Sequence, residues 1–123
     1  MFWGAYIVYP DVMIGDNCTF EDFCIISKCR LGNDVILAAR VSIMSGSKHH
    51  DINDITKTFG ESKAEYRTIH LGNNLWIGTH AVIMNDIGDH TAVGAGSVVT
   101  RAIPEMVVAA GVPARIIKHR GKL

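Results

Sequence analysis

The stretch LGNNLWIGTHAVIMNDIGDHTAVGAGSVVTRAIP, residues 71–104, divides into blocks that each begin with a large apolar residue. The blocks are LGNNLW (71–76), IGTHAV (77–82), IMND (83–86), IGDHTA (87–92), VGAGSV (93–98) and VTRAIP (99–104). Glycine follows the first residue at Gly72, Gly78, Gly88 and Gly94, and the fifth is small or β-branched at Ala81, Thr91 and Ser97. A period of six is neither the 3.6 of an amphipathic helix nor the alternation of a half-buried strand. It suits short strands joined by sharp turns, with first and fifth positions pointing inward. Glycine at the second position lets backbone pass a corner where a side chain would clash or φ must be positive. Three blocks close a triangular coil, and no block can bury its apolar side alone, so stability comes from stacking.

The same phase runs through the N-terminal half as VYPDVM (8–13), IGDNCT (14–19), FEDFCI (20–25), ISKCR (26–30), LGNDVI (31–36), LAARVS (37–42) and IMSGSK (43–48). A β-sandwich would place strands every 8–12 residues with irregular loops, and this phase does not fit it. The expectation is an all-β parallel β-helix, a hexapeptide-repeat solenoid forming one domain over 1–123. Three places break the register. ISKCR is one residue short and IMND two short, and residues 44–68 carry no phase. A loop of that length in a compact domain is functional or disordered. From Ile103 onward the chain is expected to leave the repeat. Its tail, with Ile116, Ile117, Lys118, Arg120 and Lys122, is expected to form a short strand or helix packed on the last coil.

Twelve basic and twelve acidic residues balance, so no field draws the chain to nucleic acid or an anionic membrane. The N-terminal residues lack the pattern of a signal peptide, and no apolar run is long enough to span a bilayer. Cys18, Cys24 and Cys29 make an odd count without metal-site spacing. Reduced cysteines in a cytoplasmic protein are the expectation.

With these motifs in place, the chain resembles the hexapeptide-repeat acyltransferases, closest to the galactoside, maltose and streptogramin O-acetyltransferases. The resemblance rests on residues 71–83, on IGDHTAVGAGSVVTRAIP (87–104), on VVAAGVPARII (107–117) and on MSGSKH (44–49). It implies a left-handed coil, a homotrimer, and acetyl-CoA bound between neighbouring subunits as acetyl donor. It also implies a small-molecule hydroxyl acceptor, a sugar or polysaccharide precursor before an antibiotic. The missing pair of residues after Ile83, where the family has a longer Pro-Gly turn, departs from the pattern.

Acetyl transfer to an alcohol needs a base for the hydroxyl proton and donors for the oxyanion. Histidine suits the first role, being largely neutral at cell pH. Of the six histidines, His70, His80 and His90 read as surface residues beside the corners of the coil. His49 and His50 open the unphased loop and coincide with the family motif. The ungapped match places the base at His49; a one-residue shift would place it at His50. Asp51 is a candidate to orient the ring. The resemblance places Trp76, Gly78, Thr79, Gly94, Ala95, Thr100, Arg101, Arg115 and Lys118 at the cofactor. An indole would lie against the pantetheine arm, backbone amides near Gly94 and Ala95 would contact the cofactor, and cations would meet phosphate.

Three rival classes differ in testable features. A zinc-dependent carbonic anhydrase on the same coil would need three convergent histidines with a close pair, which the hexads lack; no metal is expected. Serine acetyltransferases share the AGVPAR-like tail but carry an N-terminal helical domain. A non-catalytic scaffold would need neither the histidine loop nor that tail.

Overall fold

A computed structural model describes residues 4–121; Lys122, expected in the tail, lies outside them. Short strands wind into five stacked coils. β1 (Tyr6–Ile7), β2 (Met13–Ile14) and β3 (Thr19–Phe20) form the first, and β4 (Ile25–Ile26), β5 (Cys29–Leu31) and β6 (Val35–Leu37) the second. The third holds β7 (Ser42–Ile43), β8 (Ile69–Leu71) and β9 (Leu75–Ile77), and the fourth β10 (Val82–Ile83) and β11 (Thr91–Val93). The fifth holds β12 (Val98–Val99) and β13 (Val107–Ala110), before a last strand, β14 (Arg115–His119).

Three faces result. The first stacks β1-β4-β7-β10-β12, and the second stacks β2-β5-β8, continued by single bridges from Leu71 to Ile87 and from Ile87 to Ile103. The third stacks β3-β6-β9-β11-β13, closed by β14. Every pairing between coils is parallel; only β14 runs antiparallel, against β13. The expected tail element is therefore a strand, and it sits on the end of the third face. The coil is the left-handed parallel β-helix.

The core follows the hexad phase. Phe20, Ile26, Leu37, Ile43, Ile77, Ile83 and Val99 at first positions are fully enclosed. Cys18, Cys24, Val35, Val41, Ala81, Thr91 and Ser97 at fifth positions are buried beside them. The two fifth-position hydroxyls are satisfied: Thr91 Oγ1 donates to the carbonyl of Pro104 at 3.0 Å, and Ser97 Oγ accepts the Gly111 amide at 3.2 Å. Burial pushes the Cys29 thiol up to about 12, and Cys18, Cys24 and Cys29 form no disulfide.

Of the two reasons for glycine at the second position, the close approach is the operative one. A Cβ on Gly78 would stand 2.5 Å from the Ala95 nitrogen in the coil above. Positive φ belongs instead to the fourth position, at Asn17, Phe23, Asp34, Arg40, Asn74, His80 and His90. Asn and Asp adopt that conformation readily, and at the corner after the second face the third-position Asn and Asp beside them build a ladder. The Asp16 amide donates to Asn33 Oδ1 (2.7 Å), the Asn33 amide to Asn73 Oδ1 (2.8 Å), and the Asn73 amide to Asp89 Oδ1 (2.7 Å).

The repeat extends further than expected. Ile103 bridges Ile87, a first position, so the block starting at Val99 ends at Ala102 and IPEMVV (103–108) is another hexad. Its fourth residue, Met106, has the positive φ of His90 one coil earlier. Along the third face Thr19 pairs with Ile36, Ile36 with Trp76, Trp76 with Ala92 and Ala92 with Val108, steps of 17, 40, 16 and 16 residues. Three full hexads would give 18. Every departure falls at one corner, between the first and second faces. There the chain passes through 27–28, 44–68, 84–86 and 100–102, stacked one above another.

Candidate active site

The corner between the third and first faces is regular, and it holds most of the expected cofactor residues. Trp76, Gly78, Thr79, Gly94 and Ala95 line one apolar groove of about 450 Å³, with Ala92 and Val108 as its floor. Gly78 and Gly94 stand at the same hexad position in successive coils. Trp76 is 63% exposed, although its strand neighbours Leu75 and Ile77 are buried, because strand side chains alternate. On its other side the indole borders a cleft of about 390 Å³ that includes Lys118, His119 and Arg120. Arg115 begins β14 opposite Ala110, on the same face.

The Gly94 amide is committed to the Ala109 carbonyl at 2.9 Å. Of the two amides expected at the cofactor, only that of Ala95 lacks a partner among the described residues. Thr100 and Arg101 stand elsewhere, exposed at the irregular corner beyond the first face. Within one chain they do not join the Trp76 groove.

The irregular corner carries the histidines. Residues 44–68 leave β7 and return to β8, and they hold one 3-10 turn, Phe59–Glu61, with a reciprocal cap between Thr58 and Glu61. His49 is half-buried; its Nε2 lies 3.1 Å from the Ser45 carbonyl, and its ring centroid is 4.9 Å from that of Tyr66. His50 is exposed, with Nδ1 2.8 Å from the Phe59 carbonyl. A carbonyl can only accept, so the nitrogen facing it carries the proton and the other nitrogen keeps its lone pair. Both rings are thus oriented by backbone carbonyls. Asp51 does not take that part: its Oδ1 accepts the Asn53 amide at 2.9 Å.

The loop is clamped at both ends. Ser45 is buried, and its Oγ accepts the Lys28 amide (3.0 Å) from the coil below. Its carbonyl also accepts the Arg67 amide at 3.1 Å. Arg67 in turn donates to Asn85 Oδ1 (2.7 Å) and Asp86 Oδ1 (3.2 Å) in the coil above. A small cleft of about 250 Å³ lies between these ends, lined by Ser45, Ser47, Lys48, Glu65, Arg67 and Asn85. The sequence reading did not single out Ser45, Tyr66, Arg67, Asn85 or Asp86. Their one signal was the shortened block IMND (83–86), which puts two polar side chains directly above the loop's return. Among the described residues no three His, Cys, Asp or Glu side chains gather as a metal-holding group.

A left-handed coil of hexapeptide repeats, with a long histidine-bearing loop at one corner and an apolar groove at another, defines the class. Comparison with known proteins makes the assignment specific. No family model matches the chain. The galactoside O-acetyltransferase of Escherichia coli K12 is 43% identical over 93 residues, which cover 72% of this chain and 43% of that protein. The crystal structure of a maltose O-acetyltransferase from Clostridium difficile 630 superposes with a TM-score of 0.84 at 30% identity, over 96% of this chain and 64% of that one. A galactoside acetyltransferase in complex with coenzyme A gives a TM-score of 0.78 at 31% identity, over 97% and 60%. The chain belongs to the hexapeptide-repeat acyltransferase family. It spans less than two thirds of the length of each of these three relatives.

Proposed function

We propose that the protein transfers an acetyl group from acetyl-CoA to a hydroxyl of a small acceptor, a sugar or polysaccharide precursor, with His49 as general base. The observation that carries this is the coexistence of two features. One is an apolar groove beneath an exposed indole; the other is a loop imidazole whose proton is parked on a backbone carbonyl. With Nε2–H held by Ser45, the free Nδ1 takes the acceptor's hydroxyl proton as its oxygen attacks the thioester carbonyl. The tetrahedral oxyanion then collapses, the C–S bond breaks, and the imidazolium returns its proton to the departing thiolate. The products are the acetyl ester and free CoA, and no metal takes part. Donors such as the unpaired Ala95 amide would stabilise the oxyanion.

The cofactor would lie with pantetheine against Trp76 and its phosphates near Lys118, Arg115 and Arg101. Because Arg101 and Thr100 stand across the first face from the groove, the proposed site is shared between two subunits of a homotrimer. Outward side chains support that assembly. Ile25, Val82 and Val98 on the first face and Ile36, Trp76 and Val108 on the third are apolar, whereas Arg30 and His70 mark the second. A cyclic trimer joins one such face to a different face of the neighbour, which would bring the groove of one chain against the irregular corner of the next.

A sugar is favoured because relatives bear the names galactoside and maltose O-acetyltransferase. The loop also offers Asp51, Asn53 and Glu65 around a cleft of about 440 Å³, suited to bonding several hydroxyls. Buried cysteines outside any disulfide suit the cytoplasm, and no helix among the described residues is long and apolar enough to cross a membrane. An acceptor screen with acetyl-CoA, following free thiol, tests the reading. Release that depends on a saccharide is expected; release with serine alone, or with none of the hydroxyl compounds, would overturn it.

A further inference from the structure

The shortened block 83–86 and the side chain of Arg67 answer one another. In a full hexad Ile83 would be followed by five residues before the next first position; here only Met84, Asn85 and Asp86 separate it from Ile87. The tightened corner leaves the two polar side chains facing the loop's last residues. Arg67 meets both, and it also donates to the Thr68 carbonyl at 3.3 Å. Asp86 Oδ1 accepts the His70 amide at 2.9 Å as well, and Asn85 Nδ2 reaches the Thr100 carbonyl at 3.2 Å. One guanidinium therefore ties the loop's return to the fourth coil and, through Asn85, to the fifth.

What Arg67 holds is next to the histidine. Its own amide donates to the Ser45 carbonyl, the same oxygen that faces His49 Nε2. The residue before it, Tyr66, supplies the ring against the imidazole. Arg67 and Asp86 are both close to half exposed, so an isolated pair there would add little to stability. Position is a different matter. The planar fork meets two side-chain acceptors at once, which a lysine ammonium does not reproduce.

We propose that Arg67 is a positioning residue: latched to Asn85 and Asp86, it holds Tyr66 and the Ser45 carbonyl so that His49 keeps one tautomer and one orientation. The effect on catalysis rests on the reading of His49 as the base; the effect on the ring does not. Long-range ¹H–¹⁵N spectra of ¹⁵N-histidine-labelled protein read the tautomer directly. In the unaltered chain His49 should be the Nε2–H form, and in Arg67→Ala it should become a mixture. With acetyl-CoA and the saccharide returned by the acceptor screen, Arg67→Ala should lower kcat about 10–100-fold, leaving KM for acetyl-CoA unchanged. Arg67→Lys should not restore it. Asn85→Ala/Asp86→Ala should reproduce the loss, and adding Arg67→Ala to that pair should cost little more, as expected of one network. This second lesion also serves if Arg67→Ala fails to fold. An unchanged His49 tautomer in both lesions would overturn the proposal. So would an Arg67→Ala loss that persists in full on a His49→Ala background. Normal turnover by His49→Ala would instead remove the base assignment, while the tautomer still decides the latch.

Discussion

At the corner between the third and first faces successive coils repeat each other: Gly78, Thr79 and His80 lie beneath Gly94, Ala95 and Gly96. At the corner between the first and second faces no two of the first four crossings have equal length. The molecule thus separates two requirements. Stacking needs strict repetition, because a Cβ on a second-position glycine such as Gly78 would strike the coil above. A base and an acceptor cleft need polar side chains placed once, which repetition cannot provide. Confining every insertion and deletion to one corner lets the other two stay in phase. Repetition makes the groove, and its interruption makes the histidine loop.

If the two corners have these separate roles, lesions in each should read out differently. The largest effect should come from the irregular corner: His49→Ala should lower turnover by 10²–10⁴, about 3–5 kcal/mol of transition-state stabilisation. Its affinity for acetyl-CoA, measured by calorimetry, should be unaltered, and His50→Ala should lose much less. An inactive His50→Ala beside an active His49→Ala would move the base by one residue.

In the regular coil, Ile77→Ala should destabilise by about 2–5 kcal/mol in chemical denaturation, because the side chain is fully enclosed and coils above and below keep the cavity from closing. A smaller change would mean that the stack relaxes more than its backbone contacts allow. Below that come the cations. Arg101→Ala and Arg115→Ala should each weaken CoA by about 1–3 kcal/mol, as expected for charge-assisted bonds to phosphate. Unchanged affinity in both would remove the nucleotide end from this placement.

The smallest effect concerns acid. The Thr56 hydroxyl holds the Asp54 carboxyl below its ordinary range, and the Thr58 side chain does the same for Glu61. Lowered values mean that this ordering is present above the usual carboxylate range, about pH 4, and is lost as pH falls through the lowered values. Glu61 is exposed, Asp54 is half-buried within the loop, and neither belongs to the core, so the coil should not unfold with them. Amide exchange in acid should quicken at 54–62 relative to neutral pH, once corrected for intrinsic rates, while 75–77 stays protected. Equal loosening of both would deny the loop its independence.

Much of this division was legible in the chain. Hexad phase alone identified the buried first and fifth positions and set the loop at 44–68, the interval between β7 and β8. Trp76, Gly78 and Ala95 were marked by the family resemblance rather than by phase, and stacking brings them to one groove. Phase failed where a residue type misled. Ile103, four after Val99, falls where a fifth-position residue would stand, and the corner Pro104-Glu105-Met106 has no second-position glycine to mark it. Positive φ at Phe23, Arg40 and His80 likewise had no local signal, since stacking rather than propensity imposes it. The Arg67 latch was out of reach for another reason. Its partners are 18 and 19 residues away, and only the coil geometry brings them together.

The central claim is that the groove and the base of one active site come from different chains, and mixed trimers test it most directly. Ala95→Trp should fill the groove and His49→Ala should remove the base, so each homotrimer should be inactive. If the two are unfolded together and refolded at equal amounts, random assembly of a cyclic trimer pairs an intact groove with an intact loop at about a quarter of the interfaces. Thiol release from acetyl-CoA with the saccharide acceptor should return to about that fraction of the normal rate. Mixed trimers verified by mass that stay inactive would contradict the account, because the two corners would then have to serve one another within a single chain.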